Sequence, residues 1–299
     1  MNKSEPAGRF SVVTPTYNMG RYLAATIESV IANMRPGDEY FIIDGGSTDD
    51  TLDVIRSYEK RITGWVSEPD SGYGDALRKG FAMASGEFQC YINSGDVLLS
   101  GALDVARECF QGNDADFLFG DDVYIGEDGL VIFYNSGAVS NLKNFMLFGG
   151  WTPLQDACFW RKTVFSSAGS VDPSLRYAVD YDLFLRYSLQ GKCLYLPIVF
   201  SAFLKHDGQK SRRYYAEYAI EREKCREREL CRVRYHWGWK MLLSGYYWSL
   251  VRIRAYFIAP MLRRLTQMSE IPVRTLNCGR PPKLPFLHDM LRVCFLKVI

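Results

Sequence analysis

Four short apolar runs, each followed by a polar loop, constrain this chain more than any other feature, because a stretch of helical spacing follows the first three. The runs are Phe10–Thr14, Tyr40–Ile43, Gly64–Ser67 and Phe88–Ile92. Pro15 stops the first, and Tyr17-Asn18-Met19-Gly20 leads into a helix from about Arg21 to Asn33. The second ends in Asp44-Gly45-Gly46-Ser47-Thr48-Asp49-Asp50, where Ser47 or Thr48 is placed to cap a helix running toward Tyr58. Glu68-Pro69-Asp70-Ser71-Gly72 closes the third, before a helix from about Tyr73 to Ala84. Strand, loop and helix repeated at this spacing predict an α/β fold, with a Rossmann-like, mostly parallel sheet, helices on both faces and right-handed crossovers. Parallel strands deliver their loops to one edge, which is where open sheets of this kind bind ligands. Asp44, Glu68, Asp70 and Asp96 are therefore expected to converge. Turn chemistry alone also puts Asp, Gly, Ser and Pro in loops, yet four acidic loops around one crevice repel unless a cation or a ligand neutralises them.

The fourth run reads as a half-buried strand, since Phe88, Cys90 and Ile92 alternate with Gln89, Tyr91 and Asn93 before Ser94-Gly95-Asp96. Magnesium and manganese take oxygen ligands, so Asp96 at that strand end suits a metal-bound diphosphate. Its other use is a cap on the helix expected over Leu99–Cys109.

Beyond Asp96 the rhythm changes. Phe117–Asp122 reads as a strand, and Val123–Ile125 with Leu130–Tyr134 as a hairpin around Glu127-Asp128-Gly129. Asp121 and Asp122 offer a second acidic pair, for which turn chemistry beside Gly120 is favoured over metal binding. A short helix over Asn141–Phe148 precedes the aromatic loop Gly149–Pro153, where Trp151 is either a platform for a sugar ring or a plug on the core. Trp151 and Gln155 are the candidate acceptor contacts. Ala157–Trp160 is strand-like and Arg161–Ala168 helical. In Val179–Arg186, helical spacing puts Asp180 in the first turn, as a cap or as a free carboxylate, and leaves Asp182 and Arg186 as an ion pair one turn apart. Two strands, Cys193–Leu196 and Val199–Leu204, are broken by Pro197 and lead to His206 in a glycine-bearing loop. A lone His is usually structural; this one is also a candidate metal ligand.

Composition divides the chain. Residues 1–211 carry 18 Lys and Arg against 27 Asp and Glu, and residues 212–299 carry 18 against 7, so the net +2 conceals an acidic body and a basic tail. Tyr214–Arg234 is charge-dense, and His236–Leu265 interleaves Trp237, Trp239, Tyr246, Tyr247, Trp248 and Phe257 with Lys240, Arg252, Arg254, Arg263 and Arg264. That mixture suits the headgroup region of an anionic membrane; the alternative is a helical hairpin packed on the body or on a second subunit as a homo-oligomer. No zinc-finger spacing or RNA-binding signature accompanies the charge, and nucleic acid is not an expected partner. Pro281, Pro282 and Pro285 mark a loop before a last short helix. The eight cysteines form no CxxC pair and are expected reduced and mostly buried. A polar start over Met1–Arg9, and no apolar stretch near the roughly 20 residues a spanning helix needs, lead to an expected cytoplasmic protein, peripheral at the inner face of the cytoplasmic membrane.

Val13-Thr14-Pro15-Thr16-Tyr17-Asn18, then Asp44–Asp49, then Ser67–Gly72 with Asp75-Ala76 and Lys79-Gly80, then Asn93-Ser94-Gly95-Asp96, then Asp180-Tyr181-Asp182-Leu183 resemble in order and spacing family 2 of the inverting nucleotide-sugar glycosyltransferases. The similarity runs from about Phe10 to Ser211. It implies a GT-A type fold over residues 1–211, with a nucleotide-sugar-binding half over about 10–97 and an acceptor-binding half over about 98–211; the helical tail over 212–299 falls outside the resemblance. It implies a metal-dependent transfer of sugar from a nucleoside-diphosphate donor to a hydroxyl acceptor, and the basic tail points to a lipid-linked or growing bacterial surface polysaccharide as that acceptor. In that scheme Thr14, Pro15, Tyr17 and Asn18 line the nucleoside and Asp44 accepts from the base edge. Glu68, Asp70, Asp75, Arg78, Lys79, Asn93 and Ser94 hold ribose, diphosphate and sugar. Asp96, with His206, binds magnesium or manganese, and Asp180 is the catalytic base. Three positions depart from the family pattern: Asn93 stands where its signature begins with Asp, Gly95 where a further Asp is common, and Arg78 where many relatives have Asn. The reading set against an enzyme is a weak or inactive scaffold on the same fold.

Overall fold

In the computed structural model the described residues are 8–139, 141–206, 214–233 and 237–254, with positions 256, 273, 278 and 279. β1 (Phe10–Thr16), β2 (Glu39–Asp44), β3 (Gly64–Ser67) and β4 (Phe88–Tyr91) form the parallel order β3-β2-β1-β4. Between them run α1 (Gly20–Asn33), α2 (Thr51–Ser57) and α3 (Tyr73–Met83), as the repeating pattern requires. The register aligns Thr16 with Asp44 and Asp44 with Ser67, so three strands stop in one row. Alternate strand residues feed opposite cores: Val13, Phe41, Ile43 and Tyr91 pack on one face, and Val12, Tyr40, Ile42 and Cys90 on the other. With helices on both sides, β4 is buried throughout instead of half-buried, and Gln89 and Tyr91 are as enclosed as Phe88 and Cys90.

The sheet continues through antiparallel joints and one long parallel pair, the sixth strand with the ninth. β5 (Val97–Leu98), β6 (Phe117–Ile125), β7 (Val131–Asn135), β8 (Cys158–Arg161) and β9 (Cys193–Leu204) complete nine strands in the order β3-β2-β1-β4-β8-β6-β9-β5, with β7 hairpinned onto β6. Pro197 does not divide β9, because two register shifts against β6, around Asp121, absorb it as an irregularity. α4 (Ala102–Gly112), α5 (Leu142–Gly149), α6 (Lys162–Ala168) and α7 (Val179–Gln190) cover the sheet. Neither Ser47 nor Thr48 caps α2: Asp50 is its first flanking residue, Ser47 donates to Asp44, and Asp49 accepts from Thr51 N at 3.1 Å. Asp96 does not cap α4 either, which starts after Gly101 in the left-handed region at φ 88°.

The tail is helical where it is described. α8 (Tyr215–Arg232) packs against α7 and α5, burying Cys225 and Glu229, and α9 (Trp237–Ile253) sets the buried Tyr247 against Phe145 and Phe148 of α5. The hairpin-on-body alternative therefore describes α8 and the inner face of α9. The outer face of α9 leaves Trp239, Met241, Leu242, Tyr246, Trp248 and Ile253 exposed. Residues 207–213, which include the 211/212 boundary, and the last short helix expected after Pro285 lie outside the described residues, as do Phe257, Arg263 and Arg264. No described helix is long and apolar enough to cross a membrane.

Candidate active site

At the carboxyl edge the strand-end loops are tied to one another. Asn18, at φ 52°, donates its N–H to Ser47 Oγ at 2.7 Å and accepts from Thr48 N at 2.8 Å. Short polar side chains tolerate that left-handed backbone, which explains an Asn at this bend. Gly20 N donates to Asp49 at 3.1 Å, Met19 N to Thr51 Oγ1 at 3.1 Å, and Ser94 Oγ to the Pro15 carbonyl at 3.3 Å. Asp44 is fully buried and accepts from Gly46 N at 3.1 Å, Ser47 N at 3.0 Å, Ser67 Oγ at 2.7 Å and the Ser47 hydroxyl. Its carboxylate thus organises its own loop. Thr14 Oγ1 shares a hydrogen bond of 2.9 Å with Tyr40 Oη inside the core, whereas Tyr17 is half exposed at the rim.

Beside this rim, the end of β3 and the first turns of α3 carry an ion cluster. Lys79 Nζ lies 2.7 Å from Glu68 and 3.3 Å from Asp75, and Arg78 lies 2.7 Å from the other Asp75 oxygen. Asp75 is held below the usual carboxylate range by these donors, which outweigh its partial burial. Asp70 accepts from Gly72 N at 2.8 Å, closing the loop that starts α3.

The turn carrying Asp96 is built by Thr26 of α1, which accepts from Gly95 N at 2.8 Å and donates to the Asp96 carbonyl at 2.8 Å. Asp96 Oδ1 accepts from Leu204 N at 3.0 Å, so the first two-thirds of the chain and the end of β9 meet here. Gly95 sits at φ 102°, and a Cβ on it would come within 2.8 Å of Leu204 Cδ2. Its departure from the family pattern has this backbone cause. Gln155 donates to the Tyr91 carbonyl at 2.9 Å, which turns its oxygen toward Asn93 Nδ2 at 2.6 Å and leaves the buried Asn93 Oδ1 with no hydrogen-bond partner among the described residues. Gln155 is thereby a support for Asn93.

Asp96 is almost wholly enclosed, and burial, then the charge of Asp156, pushes its carboxyl well up. Asp122 is pushed up by burial and by Asp156, Asp121 and Asp96, while burial lifts Asp156 to about 6. Sequence reasoning missed Asp156 and set Asp122 aside, because neither follows a short strand into a glycine-rich loop or opens a helix of apolar spacing. Among the described residues no three His, Cys, Asp or Glu side chains are arranged to hold a metal by themselves. Near Asp96, the buried Asn93 Oδ1, Asp122 Oδ1 and Asp156 Oδ2 have no hydrogen-bond partner among the described residues. His206 lies against Tyr22, ring centroids 5.5 Å apart.

Asp180 occupies the first turn of α7, partly open to solvent, and accepts from Tyr181 N at 2.8 Å. Burial pushes its carboxyl up to about 6 against that hydrogen bond. Tyr73 was not among the expected site residues, yet burial and then the charges of Asp180 and Asp96 push its hydroxyl upward. Both carboxylates therefore lie within electrostatic reach of one phenol, beside Tyr91 and Asn93. Asp182 is buried and paired with Arg186 at 2.7 Å, a structural pair as expected. Trp151 is partly buried against Phe145, under the Arg254 guanidinium 5.3 Å from its ring, contacts that fit the plug on the core.

The model of glycosyl transferase family 2 matches residues 11–168. An uncharacterised glycosyltransferase of Mycobacterium tuberculosis is 32% identical over 188 residues, which cover 60% of this chain and 68% of that protein. A putative teichuronic acid biosynthesis glycosyltransferase of Bacillus subtilis is 32% identical over 122 residues, covering 40% of this chain and 48% of that protein. With two further relatives, from Nostoc and Streptococcus pneumoniae, the match spans only 34% and 44% of the relative's length. Among solved structures, S. aureus TarS 1–349 in complex with UDP-GlcNAc superposes with a TM-score of 0.64 at 18% identity, covering 83% of this chain and 73% of that one. Mannosyltransferase PcManGT from Pyrobaculum calidifontis, in complex with GDP-Man and Mn2+, gives 0.58 at 12% identity, covering 87% and 79%. These likenesses show the GT-A type fold.

Proposed function

The chain belongs to glycosyl transferase family 2, and from that premise we propose that it transfers a sugar from a nucleoside-diphosphate donor to a hydroxyl acceptor, inverting the anomeric centre. The supporting observation is the Tyr73 hydroxyl that feels both Asp180 and Asp96, since it brings the candidate base and the candidate metal ligand to one rim. The acceptor oxygen bonds to the anomeric carbon, the bond from that carbon to the diphosphate breaks, and the nucleoside diphosphate leaves with the electron pair. Asp180 takes the hydroxyl proton, work that contributes about 10²- to 10⁴-fold. Thr14, Pro15, Tyr17, Asn18 and Asp44 would frame the nucleoside, and Glu68, Asp70, Asp75, Arg78, Lys79 and Ser94 the ribose, diphosphate and sugar. A bound magnesium or manganese ion, held by Asp96 and Asn93 with His206 as a further candidate, would neutralise charge on the departing diphosphate.

For the acceptor, the name of the B. subtilis relative supports a surface polysaccharide, and the basic tail supports a lipid-linked or growing one. The exposed apolar face of α9, with Arg252 3.6 Å from the Trp248 ring centre, is the element we assign to an anionic membrane at its cytoplasmic side. The scaffold alternative draws on Asn93 and Gly95, and the second of these is already explained by backbone geometry.

Nucleotide release from UDP-GlcNAc, UDP-glucose, UDP-galactose and GDP-mannose, with Mn2+ and with EDTA, tests the reading. At least one donor is expected to be cleaved, and only with the metal. Failure of all four to be cleaved or bound would favour the scaffold.

A further inference from the structure

We infer that the tail helix α8 is part of the catalytic apparatus, with Glu221 as a positioning residue for the turn that carries Asp180; this rests on Asp180 being the base. Glu221 reaches from α8 to the entrance of α7. Its Oε2 accepts from Tyr177 N at 2.7 Å and from Ala178 N at 2.9 Å, and Arg176 N lies 3.2 Å from both of its oxygens. One carboxylate therefore satisfies three successive main-chain donors immediately before the helix, where no local side chain caps it. The negative charge also lies at the positive end of the helix.

One turn further on, the contact is repeated with opposite sign. Arg228 of α8 pairs with the buried Asp182, whose other oxygen is held by Arg186 at 2.7 Å, and reaches Asp172 at 3.4 Å. Asp180 thus lies between two attachments of α8. Tyr218, one helical turn before Glu221, faces the same carboxylate: burial and then the Asp180 charge push its hydroxyl well up. The matched family segment ends at residue 168, so both the turn that carries Asp180 and the helix that holds it lie beyond that segment. Misplacing a reacting group by about 1 Å costs on the order of 100-fold in rate, so a turn held by three hydrogen bonds to one side chain is a sensitive point.

The test compares Glu221→Ala, Glu221→Gln and Glu221→Asp in the full chain, using whichever of the four donors above the wild type cleaves fastest. Glu221→Ala is expected to lower kcat about 10- to 100-fold with donor KM within about twofold, while Glu221→Gln, which keeps an acceptor oxygen in place, restores most of it. Should Glu221→Ala fail to fold, Glu221→Asp, with its carboxylate withdrawn by one methylene, is expected to be slower than Glu221→Gln. Wild-type kcat in Glu221→Ala, a loss confined to donor KM, or equal rates in the Asp and Gln variants would overturn the proposal. Amide exchange at Arg176–Ala178, which needs no donor, is expected to accelerate at least tenfold in Glu221→Ala; unchanged exchange would also overturn it. Wild-type turnover in Asp180→Asn would instead remove the base assignment, with the exchange result still standing for the clamp.

Discussion

Asp180 is the residue on which chemistry and stability pull in opposite directions. Partial burial pushes its carboxyl up from the ordinary 3.8 to about 6. A base must be ionised, so kcat for sugar transfer is expected to fall along a single-proton limb as pH drops through about 6; a limb near 4 would assign the base elsewhere. The stability sign is reversed. The folded form holds the proton more tightly than the unfolded chain, so that contribution is complete below 3.8 and lost as pH rises through 6. At this scale sequence reading was uneven. Asp44, Asp96 and Asp180 stand out as acids in expected places. Tyr73, Thr26 and Asp156 do not, because their importance comes from residues distant in the chain, as with Thr26 and Asp96 70 positions on, which no local pattern encodes.

At the scale of elements, the parallel half was legible because short apolar runs are punctuated by polar loops and followed by helical spacing. What escaped was set by tertiary contact. β9 runs through Pro197 because β6 accommodates the irregularity. α4 is fastened by Arg107, which donates to the Gly8 carbonyl at 2.8 Å and pairs with the buried Asp38 at 2.7 Å. Asp38 in turn accepts from Phe10 N at 2.8 Å, at the start of β1. Removing one member of such a pair leaves a buried charge, so Arg107→Ala is expected to cost about 3–5 kcal/mol in denaturant unfolding. A loss below about 1 kcal/mol would show the clamp to be dispensable.

For the molecule as a whole, the acidic body and basic tail were visible as a charge split, but composition does not say which tail helix faces inward. α8 spends charges on the body through Arg228, Glu221 and Arg226, the last donating to the Leu147 carbonyl at 3.4 Å. α9 keeps large apolar side chains outside. The triple variant Trp239→Ser, Leu242→Ser, Trp248→Ser is therefore expected to lose at least tenfold in affinity for phosphatidylglycerol vesicles with its melting temperature unchanged. Equal binding by wild type and variant would take the membrane contact away from α9.

The central claim is that carboxylates from distant parts of the chain meet at one rim and that Asp180 takes the acceptor's proton there. Asp180→Asn, assayed for nucleoside diphosphate affinity and sugar transfer in the same preparation, tests it most directly. The expected result is affinity within about twofold of wild type, undiminished thermal stability, and turnover reduced by at least about 100-fold. Wild-type turnover in that variant would contradict it.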